Sequence, residues 1–87
     1  MGYHIEFTHP ARKEFEKLDG VIKQRISDEV VGLEKEPRPH GCVALKGYAN
    51  IYRIRVGKFR VIYEIKDKVL VVLVIRIAKR EDVYHGF

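Results

Sequence analysis

Apolar and polar positions alternate through residues 52–65, "YRIRVGKFRVIYEI". Tyr52, Ile54 and Val56 take one side of an extended chain, with Arg53 and Arg55 on the other. After Gly57-Lys58 the alternation resumes: Phe59, Val61, Tyr63 and Ile65 against Arg60, Ile62 and Glu64. A period of two predicts strands over about 51–56 and 59–66. Glycine at the first loop position suits a two-residue type II′ turn. That turn pairs Val56 with Phe59, Arg55 with Arg60, Ile54 with Val61 and Arg53 with Ile62. Tyr52, Ile54, Val56, Val61 and Tyr63 then share the core face, and Arg53, Arg55 and Arg60 share the other.

The N-terminal half has a different rhythm. Tyr3, Ile5 and Phe7 alternate as a half-buried strand. Thr8-His9-Pro10 is a helix start, a capping residue followed by proline in the first turn. Ala11, Phe15 and Leu18 follow at helical spacing until Asp19-Gly20. From about Val21 to Glu34, the stripe Ile22, Ile26, Val30 and Leu33 predicts a longer helix, which Pro37 and Pro39 prevent from continuing. The short break between the helices makes an αα-hairpin. Residues 37–50 form a connector, with Val43 and Leu45 as anchors to the core, and a last strand spans about 69–77. The order β-α-α-β-β-β predicts one α+β domain over residues 1–87: a mostly antiparallel four-stranded sheet, an αα-hairpin on one face and a short C-terminal tail.

The turn at Lys66-Asp67-Lys68 leaves two registers for the last strand. A two-residue turn places Val71, Leu73 and Ile75 on the arginine face and Arg76 in the core. One further residue places Leu73, Ile75 and Ile77 in the core and Arg76 outward. The second is preferred, because burying Arg76 unpaired is expensive.

Composition narrows the function. A chain of 87 residues has room for one domain, and its formal charge of +5 favours an anionic partner. Cys42, the single cysteine, excludes a disulfide framework and reads as a small buried hydrophobe, as suits a reducing cytoplasm. The start "MGYHIEFTHP" has no apolar signal region, and Glu6 stands where a myristoylation site wants Ser or Thr. The longest apolar run, "VLVVLVI", is too short to span a bilayer. A cytoplasmic location without membrane attachment is expected. No His/Cys cluster falls at metal-ligand spacing, and the acids Glu64, Asp67, Glu81 and Asp82 are scattered, so neither a metal nor a cofactor is expected.

The arginine face carries the chemistry. Like charges directly opposite on adjacent strands destabilise by roughly 0.2–1 kcal/mol. Glu64 is the sole acid on that face of the hairpin and sits diagonal to Arg53, so it neutralises only part of the cluster. A solvated sheet face is the ordinary reading of outward charges. Uncompensated arginines on a rigid sheet are also what an anion site requires, since the guanidinium fork grips phosphate oxygens. Lys79 and Arg80 follow the last strand, and Tyr84 lies at i+4 from Arg80, where the two can share a helical face.

With those residues in place, the chain resembles the RelE/ParE toxin superfamily of prokaryotic toxin–antitoxin systems. The resemblance runs through Leu45-Lys46-Gly47, Tyr52-Arg53-Ile54-Arg55-Val56-Gly57, Phe59-Arg60-Val61-Ile62-Tyr63 and the terminal Lys79-Arg80…Val83-Tyr84, and it covers essentially the whole chain. The RelE branch implies an mRNA endonuclease acting on ribosome-bound message. Carried over residue by residue, it implies catalytic roles for Arg53, Arg55, Arg60, Arg80 and Tyr84. The RelE pattern often has lysines at the first two positions. The stretch between Arg80 and Tyr84 is shorter than in some relatives, which makes His85 an alternative acid or base. Lys46, Lys58, Arg76 and Lys79 are candidate RNA contacts. The resemblance also implies a co-expressed, RelB-like antitoxin, an acidic or amphipathic segment that covers the basic face.

The chemistry expected of these residues needs no metal. RNA supplies its own nucleophile, the 2′-OH. Arg60 and Arg80 would stabilise the scissile phosphate and its transition state, while Arg53 and Arg55 hold it. Arginine is a poor general base, so Tyr84 is the candidate base or stacking platform, with Arg80 lowering its pKa. Two other readings stand beside this one: a ParE-like poison of DNA gyrase, and a non-catalytic RNA- or ribosome-binding relative.

Overall fold

In a computed structural model, which describes residues 2–79, two helices pack on one face of a twisted five-stranded sheet. The elements are β1 (His4–Phe7), α1 (His9–Glu16), α2 (Gly20–Gly32), β2 (Val43–Ala44), β3 (Ile51–Val56), β4 (Phe59–Lys66) and β5 (Val71–Lys79). The sheet order is β1-β5-β4-β3-β2. β1 pairs with β5 in parallel, and the other pairings are antiparallel. The helix pair carries the chain from β1 at one edge of the sheet to β2 at the other, and the antiparallel run β2 to β5 then returns to β1. The expected α+β class holds. The fifth strand is β2, two residues of the connector paired as Val43 with Arg53 and Ala44 with Tyr52.

Local chemistry sets the helix ends. Thr8 Oγ1 accepts from the Ala11 N–H at 3.2 Å, and Pro10 sits in the first turn of α1. This is the cap that the sequence predicts. Ala11, Ile26, Val30 and Leu33 then bury their side chains against Ile54, Val56, Val61, Tyr63, Ile65, Val72, Val74 and Ile77 of the sheet. Each buried Val, Leu or Ile among them stabilises by about 1.5–3 kcal/mol. Cys42 packs against the same core as a partly buried free thiol.

The β3–β4 hairpin has the predicted register, with Val56 opposite Phe59, Arg55 opposite Arg60, Ile54 opposite Val61 and Arg53 opposite Ile62. Gly57 has φ of +60°, while Lys58 does not share the positive φ, as a type II′ turn requires. A Cβ at Gly57 would also lie 3.4 Å from both Arg25 and Ile22 of α2.

The last strand departs from both expected registers. Lys66 pairs with Val71, leaving a four-residue turn in which Leu70 takes a left-handed φ of +57°. Up to Tyr63↔Val74 the core receives Val72 and Val74, not Leu73 and Ile75. A β-bulge then intervenes, Ile62 pairs with Arg76, and Ile77 enters the core. The preferred register therefore holds at Arg76 and Ile77 but fails at Leu73 and Ile75. Neither uniform alternation can bury Val72, Val74 and Ile77 together; one extra residue in the strand can.

The connector is tied to the sheet by a polar clamp. Arg38 pairs with Asp67 at 2.9 Å and donates from Nε to the Tyr52 hydroxyl at 3.1 Å. The Tyr3 hydroxyl donates to Asp67 at 2.6 Å, and the fully buried Tyr63 donates to the Pro37 carbonyl at 2.8 Å. Burial pushes the Tyr63 hydroxyl well above its ordinary pKa. The Arg38 guanidinium first, and the Tyr3 hydroxyl second, hold the Asp67 carboxyl below its usual range.

A folded-state pKa below the unfolded value means stability that is present above about pH 4 and lost as pH falls through the depressed value. Thermal denaturation between pH 7 and pH 2 should show this loss in the wild type. Asp67→Asn should be less stable at neutral pH and should show a smaller fall on acidification.

Candidate nucleic-acid interface

Arg53, Arg55 and Arg60 project from the face of the sheet opposite the helices. On that face Ile62 and Ala78 are buried, with Leu45 and Ile51 packed against them. The connector thus covers part of the second face through Leu45, whose N–H donates to the Ile51 carbonyl at 2.9 Å. Leu45 was expected to anchor the connector, and it does so on the arginine side. The three arginines lie beside this small apolar patch.

Their environments differ in a way that sequence periodicity does not convey. Arg55 is exposed, Arg53 is half-buried, and Arg60 keeps only 7% of its surface exposed. No salt bridge joins any of the three to an acid among the described residues, and Glu64 is not within ion-pair distance of them. The buried Nε atoms of Arg53 and Arg60 have no hydrogen-bond partner among the described residues. A buried donor left without a partner costs about 1–3 kcal/mol, and more when the group is charged. The donors fit an anion with several acceptor oxygens, the property that distinguishes phosphate from a single carbonyl.

The other expected contacts are dispersed. Lys58 at the hairpin tip and Lys79 at the end of β5 are exposed and line a cleft of about 870 Å³ with Arg25 and Lys17 of the helical layer. Arg76 borders the same cleft, but its guanidinium is bonded to Glu14 at 3.0 Å, so it is not a free cation. Lys46 is exposed in the turn after β2, apart from that cleft. Arg80, Tyr84 and His85 lie outside the described residues. Glu14 itself was missed in the sequence, where it reads as one more charge on α1. Among the described residues, no group of three or more His, Cys, Asp or Glu is placed to hold a metal ion, and no helix is long and apolar enough to cross a membrane.

A basic, cationic sheet face on a β-α-α-β-β-β-β scaffold defines a class that also emerges from comparison with known proteins. A family model described as the ParE toxin of the type II toxin–antitoxin system parDE matches residues 5–84. A RelE-like toxin protein of Escherichia coli is 33% identical over 89 residues, covering 98% of this chain and 93% of that one. The mRNA interferase toxin RelE of Escherichia coli is 30% identical over 83 residues, covering 93% and 86%. Among solved structures, isolated Escherichia coli RelE superposes with a TM-score of 0.81 at 29% identity, over 94% of this chain and 90% of that one. The archaeal RelE–RelB complex from Pyrococcus horikoshii gives 0.82 at 27% identity, over 92% and 97%. The chain belongs to the RelE/ParE superfamily of type II toxin–antitoxin toxins, and within it to the RelE family.

The arginine pair makes a testable stability statement. Arg55→Thr removes the cross-strand repulsion with Arg60 and supplies a better strand former. Chemical denaturation of the free protein should show it more stable than the wild type by about 0.2–1 kcal/mol, and RNA binding should weaken. An unchanged midpoint and unchanged binding together would mark the face as merely solvated.

Proposed function

We propose that the protein is the toxin of a type II pair that cleaves mRNA, acting on message at the ribosome without a metal. The observation that supports this most is the pair of buried Nε atoms of Arg53 and Arg60 that have no hydrogen-bond partner among the described residues, beside the exposed Arg55. Cleavage forms a bond from the RNA 2′-oxygen to the adjacent phosphorus and breaks the bond from phosphorus to the 5′-oxygen. The products are a 2′,3′-cyclic phosphate and a 5′-hydroxyl. The 2′-OH proton passes to a base, and the leaving 5′-oxygen takes up a proton.

The residues divide the work by chemistry. Arg60, rigid on the central strand and already desolvated, is suited to the charge that grows on the phosphorane. One preorganised donor of this kind is typically worth ~10²–10³ in rate. Arg53 and Arg55 hold the phosphate. Arg80 is proposed to join them, Tyr84 to act as base or stacking platform, and His85 is the alternative proton carrier. Lys46, Lys58, Arg76 and Lys79 contribute at most to backbone contacts, which position RNA without reading its sequence; for Arg76 this requires release from Glu14.

The relatives support the same reading. The Escherichia coli relative is named an mRNA interferase, and several structural neighbours are complexes of RelE with RelB. By analogy, the partner proposed for this chain is a RelB-like antitoxin whose acidic or amphipathic segment neutralises the arginine face. The family model's own description names ParE, which keeps gyrase poisoning as the second reading.

Purified protein incubated with programmed ribosomes should produce new mRNA ends, mapped by primer extension. Arg60→Ala and Arg80→Ala should each lower the cleavage rate by about a hundred-fold or more, and chelator should leave cleavage intact where the ribosomes remain intact. Message that stays whole under conditions where the protein arrests growth contradicts the ribonuclease reading, and gyrase-linked DNA breaks in the same cells would establish the second one.

A further inference from the structure

β1 lies beside only the first part of β5, pairing Val71 to Val74. Beyond Phe7 the outer edge of β5 has no neighbouring strand among the described residues, and its backbone groups need other partners. α1 supplies them. Thr8 donates its N–H to the Val74 carbonyl at 2.9 Å and its hydroxyl to the Ile75 carbonyl at 3.0 Å. Two turns along α1, Glu14 Oε1 accepts from the Ile77 N–H at 2.8 Å. The same carboxylate accepts from Arg76 Nε at 3.0 Å and lies 3.0 Å from its Nη2. One side chain therefore satisfies both the backbone amide and the guanidinium that follow the bulge.

The bulge decides what stands beside Arg60. With it, Arg76 pairs with Ile62, Ile77 with Val61 and Ala78 with Arg60. Extending the Tyr63↔Val74 register unbroken would bring Arg76 opposite Val61 in the core and Ile77 opposite Arg60. Alanine is the smallest side chain the position paired with Arg60 could carry, and isoleucine there would add a branched side chain next to the arginine. Arg76 in the core would in addition be an unpaired buried charge.

We propose that Glu14 is a positioning residue for RNA cleavage: its carboxylate holds the β5 bulge, and the bulge keeps Ala78, not Ile77, beside Arg60. This inference rests on the ribonuclease reading above and adds a residue on the opposite side of the sheet to the machinery. Glu14 touches neither the arginine trio nor the space in front of it; it acts through strand register.

The test compares Glu14→Ala and Glu14→Gln with the wild type, reading cleavage kinetics and, by NMR, the contacts of the Ala78 methyl and the hydrogen exchange of the Ile77 amide. Glu14→Ala should remain folded, lose the Ala78–Arg60 contacts, expose the Ile77 amide to exchange, and lower kcat by about ten- to a hundred-fold with KM little changed. Glu14→Gln keeps an acceptor for the Ile77 N–H and should recover most of both readouts. Ala78→Val, which crowds Arg60 without touching Glu14, should reproduce the kcat loss and decides the matter if Glu14→Ala does not fold. Wild-type kcat in Glu14→Ala or in Ala78→Val, or a kcat loss in Glu14→Ala with the Ala78–Arg60 contacts intact, overturns the proposal. If the wild type leaves RNA whole, the ribonuclease reading fails on its own, while the NMR contacts still establish or refute the control of register by Glu14.

Discussion

An arginine buried in the central strand of a small sheet is the constraint around which this molecule is arranged. β4 is flanked by β3 and β5, and its side chains Val61, Ile62, Tyr63 and Ile65 are all buried. Arg60 shares that burial, with an Nε that no described group accepts from. Replacing such a charge with an apolar residue of similar volume is often neutral or stabilising. A strand built for stability alone would not hold it. Its presence is intelligible when the missing counter-charge arrives with a ligand, and the neighbouring Arg55 and Arg53 raise the demand for that ligand.

The scaffold then has to keep the strands around Arg60 in one register. The type II′ turn at Gly57 does so on one side, where it fixes Arg55 opposite Arg60. On the other side the bulge in β5 brings Ala78 alongside. The bulge draws its support from α1, through Thr8 and Glu14, so a helix on the far face of the sheet helps to shape the arginine face. The Arg38–Asp67 clamp fixes the other end of the connector that supplies Leu45 to the same face.

Much of this was legible in the sequence, for identifiable reasons. The first hairpin could be paired residue by residue, because a two-residue turn with glycine in its first position admits one register and the alternation on either side of it is unbroken. The cap at Thr8 and the stripe Ile22, Ile26, Val30 and Leu33 were equally local signals. The bulge was not local: Val71 to Ile77 is apolar at nearly every position, so no alternation marks the faces. β2 is held by pairing with β3 and has no periodicity of its own. The trio Arg53, Arg55 and Arg60 was visible as a set, but alternation gave no sign that Arg60 is buried while Arg55 is exposed. Glu14 was invisible because a glutamate on a charged helix gives no sign that it reaches a strand edge. Arg76, read as a free cation, is bound for the same reason.

The central claim is that the arginine face binds phosphate, which relieves the repulsion between its arginines. The most direct measurement is the melting temperature of the wild type and of Arg60→Met across a titration of a 2′-O-methyl RNA oligonucleotide, which offers phosphates but no nucleophile. The account predicts a wild-type melting temperature that rises with oligonucleotide, and an Arg60→Met protein that is at least as stable without it and responds much less. A wild type indifferent to the oligonucleotide, together with an Arg60→Met protein that is markedly less stable, would contradict it and make Arg60 a structural residue.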